Sequence, residues 1–132
     1  MNTNTTSKPI GTFPIDKGIG FRVWAPNATK VHVIGKFNKW KATKKSEMKQ
    51  EEDGLWYLGI DNARNGKPYK FQIETQNGDT LKKNDPRARL LENSIGNSIV
   101  YLDEFDWEDD DFEIANWNEL VIYEMHIGTF NV

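Results

Sequence analysis

The residues best suited to binding a ligand follow a predicted strand in the segment KVHVIGKFNKW, residues 30–40. Phe37 and Trp40 lie in a short loop after Gly35, together with Asn38 and several lysines. A flat apolar ring beside hydrogen-bonding cations matches the C–H face and the hydroxyl rim of a sugar. The alternative is that both rings cap one end of a hydrophobic core, because aromatic side chains usually anchor cores.

Other kinds of chemistry find little support in the composition. The chain has no cysteine, which excludes disulfides and thiolate metal sites, and its two histidines form no recognisable zinc pattern. We therefore expect neither a metal nor a cofactor. The net charge of −3 argues against nucleic acid as a partner, and the lysines of residues 41–53, a conceivable RNA patch, are interrupted by glutamates.

The chain also lacks the sequence features of a membrane or exported protein. No apolar run approaches the roughly 20 residues of a membrane span, and the first residues, MNTNTTSKPIG, lack the order of a signal peptide. We expect a cytoplasmic protein without a membrane partner.

Short alternating segments joined by Gly, Pro and Asn turns predict an antiparallel β-sandwich of the immunoglobulin-like class. The predicted strands are residues 20–25, 30–34, 55–60, 68–75, 79–83 and 98–102, with a short edge strand before residue 53. Tyr69, Phe71 and Ile73 are predicted to face inward, while Phe21 and Val23 share one face of their strand and Trp56, Leu58 and Ile60 share one face of theirs. Trp24 falls on the opposite face from Phe21, where we expect core or inter-domain packing, with a ligand contact as the alternative.

Composition divides the chain into four parts. Residues 1–13 are too polar to order themselves and are expected to be a flexible tail, and residues 14–102 form the sandwich. Residues 103–118 are an acidic linker with eight carboxylates between positions 103 and 113. Phe105, Trp107 and Phe112 of this stretch are expected to dock on a neighbour. A calcium site is the alternative, although the spacing lacks the glycine and distal glutamate of an EF-hand.

Residues 119–132 differ from the rest because Leu120 to Ile127 are almost continuously apolar. This pattern is typical of a strand that is buried on both faces in a parallel sheet. We therefore expect the first strand of a truncated (β/α)8 barrel, which makes the chain the N-terminal piece of a longer protein. The alternative is that this strand completes the sandwich. Glu124 and His126 could suggest acid–base chemistry, but structural polar contacts are the expected role on alternating strand positions.

The order of five motifs resembles the carbohydrate-binding module family 48 domain of starch- and glycogen-acting enzymes. These motifs are GFRVWAPNA, VIGKFNKW, EDGLWYLGI, PYKFQI and KKNDPRAR. The later segment LVIYEMHIGTF resembles the first barrel strand of the α-amylase superfamily, glycoside hydrolase family 13. Together the two resemblances cover about residues 18 to 131.

The resemblance implies which residues contact a glucan. Trp40 matches the tryptophan that stacks on the sugar in glycogen-binding members such as the β subunit of AMP-activated protein kinase. Lys70 matches a lysine that contacts hydroxyls, and Asn97 is a further polar candidate. Where those members carry a second stacking tryptophan, this chain has Asp79 and Thr80.

The resemblance also implies a function for the parent protein, closest to a 1,4-α-glucan branching enzyme. Its catalytic carboxylates would lie on later barrel strands, so no residue of this chain is expected to be catalytic. The expected partners are an α-1,4-glucan and the missing catalytic barrel. The alternatives are a maltooligosyltrehalose trehalohydrolase within the family and, outside it, a stand-alone glycogen-binding regulatory module.

Overall fold

The structure, a computed structural model, describes residues 8–103, 106, 108 and 111–130. Nine strands in this part of the chain form two antiparallel sheets that pack as a β-sandwich, which confirms the all-β prediction. The first sheet has the order β1 (Gly11–Ile15), β2 (Gly18–Trp24), β5 (Leu55–Ile60), β4 (Lys49–Gln50). The second has the order β3 (Ala28–Gly35), β6 (Pro68–Thr75), β9 (Ser98–Ile99), β8 (Leu90–Leu91), and β7 (Thr80–Lys83) also pairs with β6.

The core lies between the sheets and is built from the predicted alternation. Phe21, Trp56, Tyr69 and Phe71 are all buried in one cluster, and Tyr69 contacts both phenylalanine rings edge-on. Because successive strand side chains point to opposite faces, Lys70, which lies between Tyr69 and Phe71, is turned to the outer face of the second sheet.

The predicted turns occur where positive φ angles are needed. Asp53 and Gly54 both have positive φ, at 58° and 75°, in the turn that leads into β5. Gly78 has φ 83° and donates its N–H to the carbonyl of Thr75, which closes the β6–β7 hairpin. These turns match the Asp-Gly and Asn-Gly signals.

The N-terminal boundary differs from the predicted one. Strand β1 begins at Gly11, so the sheet starts before the expected end of the tail at residue 13. Pro14 hides this strand in the sequence, because proline cannot donate to a ladder. It is accommodated here because β1 lies at the edge of its sheet.

The predicted barrel strand is not found among the described residues. Trp117–Glu119 form a 3₁₀ turn, residues 120–126 have no regular structure, and a short helix α1 (Ile127–Phe130) follows. Val121 is 97% exposed, and none of the described residues 120–126 pairs with either sheet, so the segment does not complete the sandwich either. A strand forms only where a neighbour supplies ladder partners, and none of the described residues pairs with this segment.

The acidic stretch is described only in part. Phe105 and Trp107 lie outside the described residues, and Phe112 is exposed. Within the described ranges, no helix is long and apolar enough to cross a bilayer.

Candidate functional site

Asn38 determines the shape of the loop between Gly35 and Trp40. Its side-chain oxygen accepts the Gly35 N–H at 2.9 Å, and its side-chain nitrogen donates to the Val33 carbonyl at 2.8 Å. The Trp40 N–H then donates to the Gly35 carbonyl at 2.9 Å. The Asn38 side chain thus ties the loop back to the last residues of β3 and fixes the backbone that leads to Trp40.

Gly35 allows the chain to leave β3 at this point. A β-carbon there would lie 2.6 Å from Phe37 Cε1 and 2.7 Å from the Pro68 carbonyl oxygen. Neither distance is compatible with a side chain, so the close approach of the loop to β6 requires glycine.

The two aromatic rings of the loop have different environments. Phe37 packs against the core, with its ring centroid 5.9 Å from that of Phe21. Trp40 is half-buried and is not among the residues that pack against the core. Phe37 therefore anchors the loop, as the core-capping alternative predicted, whereas the indole of Trp40 stays outside the core.

Trp40 is held in an unfavourable backbone conformation. Lys39 and Trp40 have φ angles of 56° and 60°, in the left-handed region that residues with a β-carbon seldom adopt. Such conformations cost about 1–2 kcal/mol each and tend to occur at functional sites.

The strand register brings Lys70 and Asn97 together with the end of β3. On one side of β6, Lys70 lies opposite Ile34 of β3. On the other side, Tyr69 lies opposite Ser98 of the antiparallel strand β9, and continuing this register by one residue places Asn97 beside Lys70. Glu92 comes next, because its N–H donates to the Asn97 carbonyl at 3.0 Å. These four residues, Ile34, Lys70, Asn97 and Glu92, form a transverse row on the outer face, with strands about 4.8 Å apart.

The polar groups of the transverse row differ in what they already bind. Within the described residues, the Lys70 amine has neither an ion pair nor a hydrogen bond. Asn97 donates to Glu92 Oε2 from its side chain at 2.6 Å and from its backbone N–H at 3.1 Å. The sequence analysis missed Glu92 because its position depends on the β8–β9 pairing, which has no sequence signal.

Glu74, further along this face, is already paired. Glu74 lies 3.9 Å from the Lys30 amine and 4.0 Å from His32 Nε2, and His32 Nδ1 is 3.3 Å from Ser46 Oγ. Thr80, opposite Glu74, adds only a small hydroxyl where the resemblance placed a second tryptophan. The transverse row is not the only free polar part of this face, because Lys82, which lies opposite Gln72, also has no ion pair among the described residues.

A buried network supports the transverse row from inside the sandwich. The Tyr69 hydroxyl donates to Asp85 Oδ2 at 2.6 Å, Arg87 N–H donates to Asp85 Oδ1 at 2.7 Å, and Asp85 N–H donates to Ser98 Oγ at 2.9 Å. Burial raises the pKa of Asp85, although the hydrogen bonds from Tyr69 and Arg87 oppose this effect. Burial, followed by the charge of Asp85, also raises the pKa of Tyr69. The network fixes β9 next to β6, and with it Asn97.

Trp24 does not pack in the core. It is 61% exposed, and its indole N–H donates to the Asp53 carbonyl at 3.0 Å. With Ile10, Pro86 and Arg87 it lines a groove of about 500 Å³.

The His, Asp and Glu side chains of the described ranges do not group into a metal site. No group of three His, Asp or Glu side chains that could hold a metal ion is found there. His126 Nδ1 contacts Thr129 Oγ1 at 3.1 Å, and both His126 and Glu124 are exposed. His126 thus makes the local polar contact that was expected for it.

Comparisons with known proteins agree on one family. Residues 9–88 match carbohydrate-binding module 48, the isoamylase N-terminal domain. A 1,4-alpha-glucan branching enzyme from Corynebacterium jeikeium is 38% identical over 130 residues, which cover 93% of this chain and 18% of that enzyme. The enzyme of the same name from Picrophilus torridus is 39% identical over 114 residues, which cover 86% of this chain and 16% of that enzyme.

A solved structure shares the same architecture over most of the chain. It is a candidate alpha amylase from Salmonella typhimurium, with a TM-score of 0.72 and 28% identity, and the match covers 94% of this chain and 20% of that one. The chain therefore spans only 18%, 16% and 20% of the length of these three relatives.

Proposed function

The chain belongs to the carbohydrate-binding module 48 family, and from this premise we propose that it binds an α-1,4-glucan through Trp40 and Lys70. One observation carries the proposal. Lys70 lies opposite Ile34, next to the end of β3, and its amine has no partner among the described residues. The loop that follows β3 holds Trp40 outside the core at the same end of the sheet.

The two residues would contribute different parts of the binding energy. The Trp40 ring would cover the C–H face of one glucose unit, while the Lys70 ammonium would donate to hydroxyl oxygens. The single ring and the exposed site imply weak binding, with a dissociation constant of about 1 mM or a free energy near −4 kcal/mol.

The remaining predicted residues take supporting roles in this proposal. Phe37 would act from the core side by holding the loop, since its ring packs on Phe21. Asn97 would contribute from the far side of Lys70, where its side chain already binds Glu92.

We propose further that the parent protein is a branching enzyme and that this module positions its catalytic barrel. The identity with two branching enzymes supports this, as does the short share of each relative that the chain covers. In this proposal the sandwich is of the immunoglobulin-like class, and residues 119–132 become a strand once neighbouring barrel strands exist. The apolar character of Leu120 to Ile127 and the exposure of residues 121–126 support that assignment.

The glucan site can be tested by NMR titration of the ¹⁵N-labelled chain with maltoheptaose. We expect shifts in the loop at residues 35–40 and near Lys70, with a dissociation constant near 1 mM, and binding should be lost in Trp40→Ala. Trp24→Ala is a matched control because Trp24 is an exposed ring on the other sheet. The same titration is made with Lys70→Met. Its matched control is Lys49→Met, because Lys49 is an exposed lysine on the other sheet. Binding that survives Trp40→Ala unchanged, or no binding at all, would refute the proposal.

A further inference from the structure

Glu92, at the end of the transverse row, has one carboxylate oxygen occupied and one free. Its Oε2 accepts two hydrogen bonds from Asn97, at 2.6 and 3.1 Å. Its Oε1 has no hydrogen bond within the described part of the chain, and the side chain is exposed. Asn97 therefore holds one oxygen of Glu92 and leaves the other available to a ligand.

The hairpin that carries Glu92 is fixed before any ligand arrives. The Ile95 N–H donates to Asn93 Oδ1 at 3.0 Å, and the Asn84 side-chain nitrogen donates to the Gly96 carbonyl at 2.9 Å. A β-carbon on Gly96 would lie 2.9 Å from Glu92 Cβ, so the turn packs closely against the base of the Glu92 side chain. A carboxylate held in this way binds without the cost of ordering its loop.

The chemistry of a glucan requires an acceptor near Lys70. Each free sugar hydroxyl both donates and accepts, whereas an ammonium group can only donate. Glu92 Oε1 supplies the missing acceptor on the same face, two strands from Lys70. We propose that Glu92 is a hydroxyl-binding residue of the glucan site and that Asn97 is its positioning residue, an inference that rests on the proposed function.

The dimensions of the transverse row indicate the kind of ligand. Ile34 is fully buried, so the part of the row that a ligand can reach runs from Lys70 to Glu92, two inter-strand steps of about 4.8 Å, or about 10 Å in total. A glucose unit stacked on Trp40, beyond the Lys70 end, would not also reach Glu92. The ligand is therefore an oligosaccharide that lies across the strands, with one unit on Trp40 and another at Glu92.

The test compares maltoheptaose binding, by the same NMR titration, in the unaltered chain and in Glu92→Ala, Glu92→Gln and Asn97→Ala. Loss of a hydrogen bond to a charged group at an exposed site should weaken binding about 5- to 10-fold in Glu92→Ala. Glu92→Gln retains an acceptor and should lose less. Glu113→Ala, an exposed carboxylate outside the sandwich, should bind like the unaltered chain.

The positioning role of Asn97 is tested by a double-mutant cycle. Asn97→Ala should weaken binding in the unaltered background and have little further effect when Glu92 is already alanine. A purely structural effect would instead lower the urea midpoint of unfolding, which should stay constant in all these variants.

The outcomes separate the two proposals. If Trp40→Ala abolishes binding but Glu92→Ala binds like the unaltered chain, the assignment of Glu92 is overturned and the proposed function stands. If the unaltered chain does not bind, or Trp40→Ala binds normally, both proposals are overturned. Loss in Trp40→Ala together with a 5- to 10-fold loss in Glu92→Ala supports both.

Discussion

Removal of one hydroxyl, in Tyr69→Phe, should destabilise the sandwich by an amount that depends on pH. The Tyr69 hydroxyl donates to Asp85 Oδ2 at 2.6 Å, and both side chains are buried. Phenylalanine fills nearly the same volume, so the main change is the loss of a donor to a buried carboxyl group. A hydrogen bond to a charged group contributes about 1.5–3 kcal/mol, and we expect a loss of about 2–3 kcal/mol near pH 7.

The pH dependence follows from the direction of the Asp85 pKa. Burial raises this pKa in the folded protein. The contribution of Asp85 to stability is therefore complete below its unfolded pKa, about 3.9, and is lost as pH rises through the folded pKa. Without the Tyr69 hydroxyl, the pKa of Asp85 in the folded protein rises further. The variant therefore continues to lose stability with rising pH over a wider pH range. The difference between the two proteins should thus shrink to about 1 kcal/mol at acidic pH, where the carboxyl group is neutral.

Urea unfolding followed by tryptophan fluorescence, at several pH values between 4 and 8, measures this difference. Tyr57→Phe is the matched control, because no hydrogen bond of the Tyr57 hydroxyl is found in the described ranges, and it should change stability by less than about 0.5 kcal/mol. If Tyr69→Phe cost less than about 0.5 kcal/mol at every pH, the buried pair would not carry the energy assigned to it.

Three further predictions concern the loop, one ion pair and the C-terminal segment. Lys39→Gly should raise the free energy of unfolding by about 0.5–1 kcal/mol in urea titrations, because glycine adopts φ 56° without strain. The Arg22 hydrogen bond is the main cause that lowers the pKa of Glu51, so its stabilising contribution is lost on acidification. Glu51→Gln should remove that part of the acid sensitivity, measured as the urea midpoint between pH 3 and 6. Deletion of residues 104–132 should leave the urea midpoint at pH 7 unchanged, because the described apolar side chains there are mostly exposed.

Most of the sandwich could be predicted from the sequence because its central strands alternate strongly. In β6, apolar and polar residues alternate, so Tyr69 and Phe71 could be assigned to the core from period two alone. Strand β5 is apolar on both faces, so period two places Trp56 on a face but does not say which face is the core. The turns at Asp53-Gly54 and Asn77-Gly78 could be predicted for a local reason, since their backbone angles favour these residue types.

The missed elements depend on strand pairing. Strand β1 has weak alternation and a proline, and it forms because β2 offers a partner from Gly18 to Arg22. The segment around Val121 shows the reverse case, with a strong apolar pattern and no partner strand among the described residues. An apolar or alternating pattern indicates that a segment could be a strand, but the strand forms only when another strand pairs with it.

The site could be predicted only where a motif carried it. Trp40 and Lys70 follow from the loop and strand motifs, and the register brings them to the same end of the second sheet. The sequence could not show that Phe37 turns to the core, because both rings of the loop are equally apolar. The position of Glu92 depends on which strand pairs with β6. Strand β7 pairs with residues 71–74 of β6, whereas β9 pairs with Pro68 and Tyr69, and the sequence does not indicate this tertiary arrangement.

The backbone of Trp40 also bears on the choice between the two interpretations of the loop. A ring that only capped the core would gain from full burial and would have no reason to keep a left-handed conformation that costs about 1–2 kcal/mol. Phe37 already fills the capping position against Phe21, and the hydrogen bonds of Asn38 offset the strain that remains. The loop therefore holds the backbone of a half-exposed tryptophan at a cost to the fold. That arrangement favours a binding role for Trp40, because preorganisation of an exposed ring benefits a ligand and not the core.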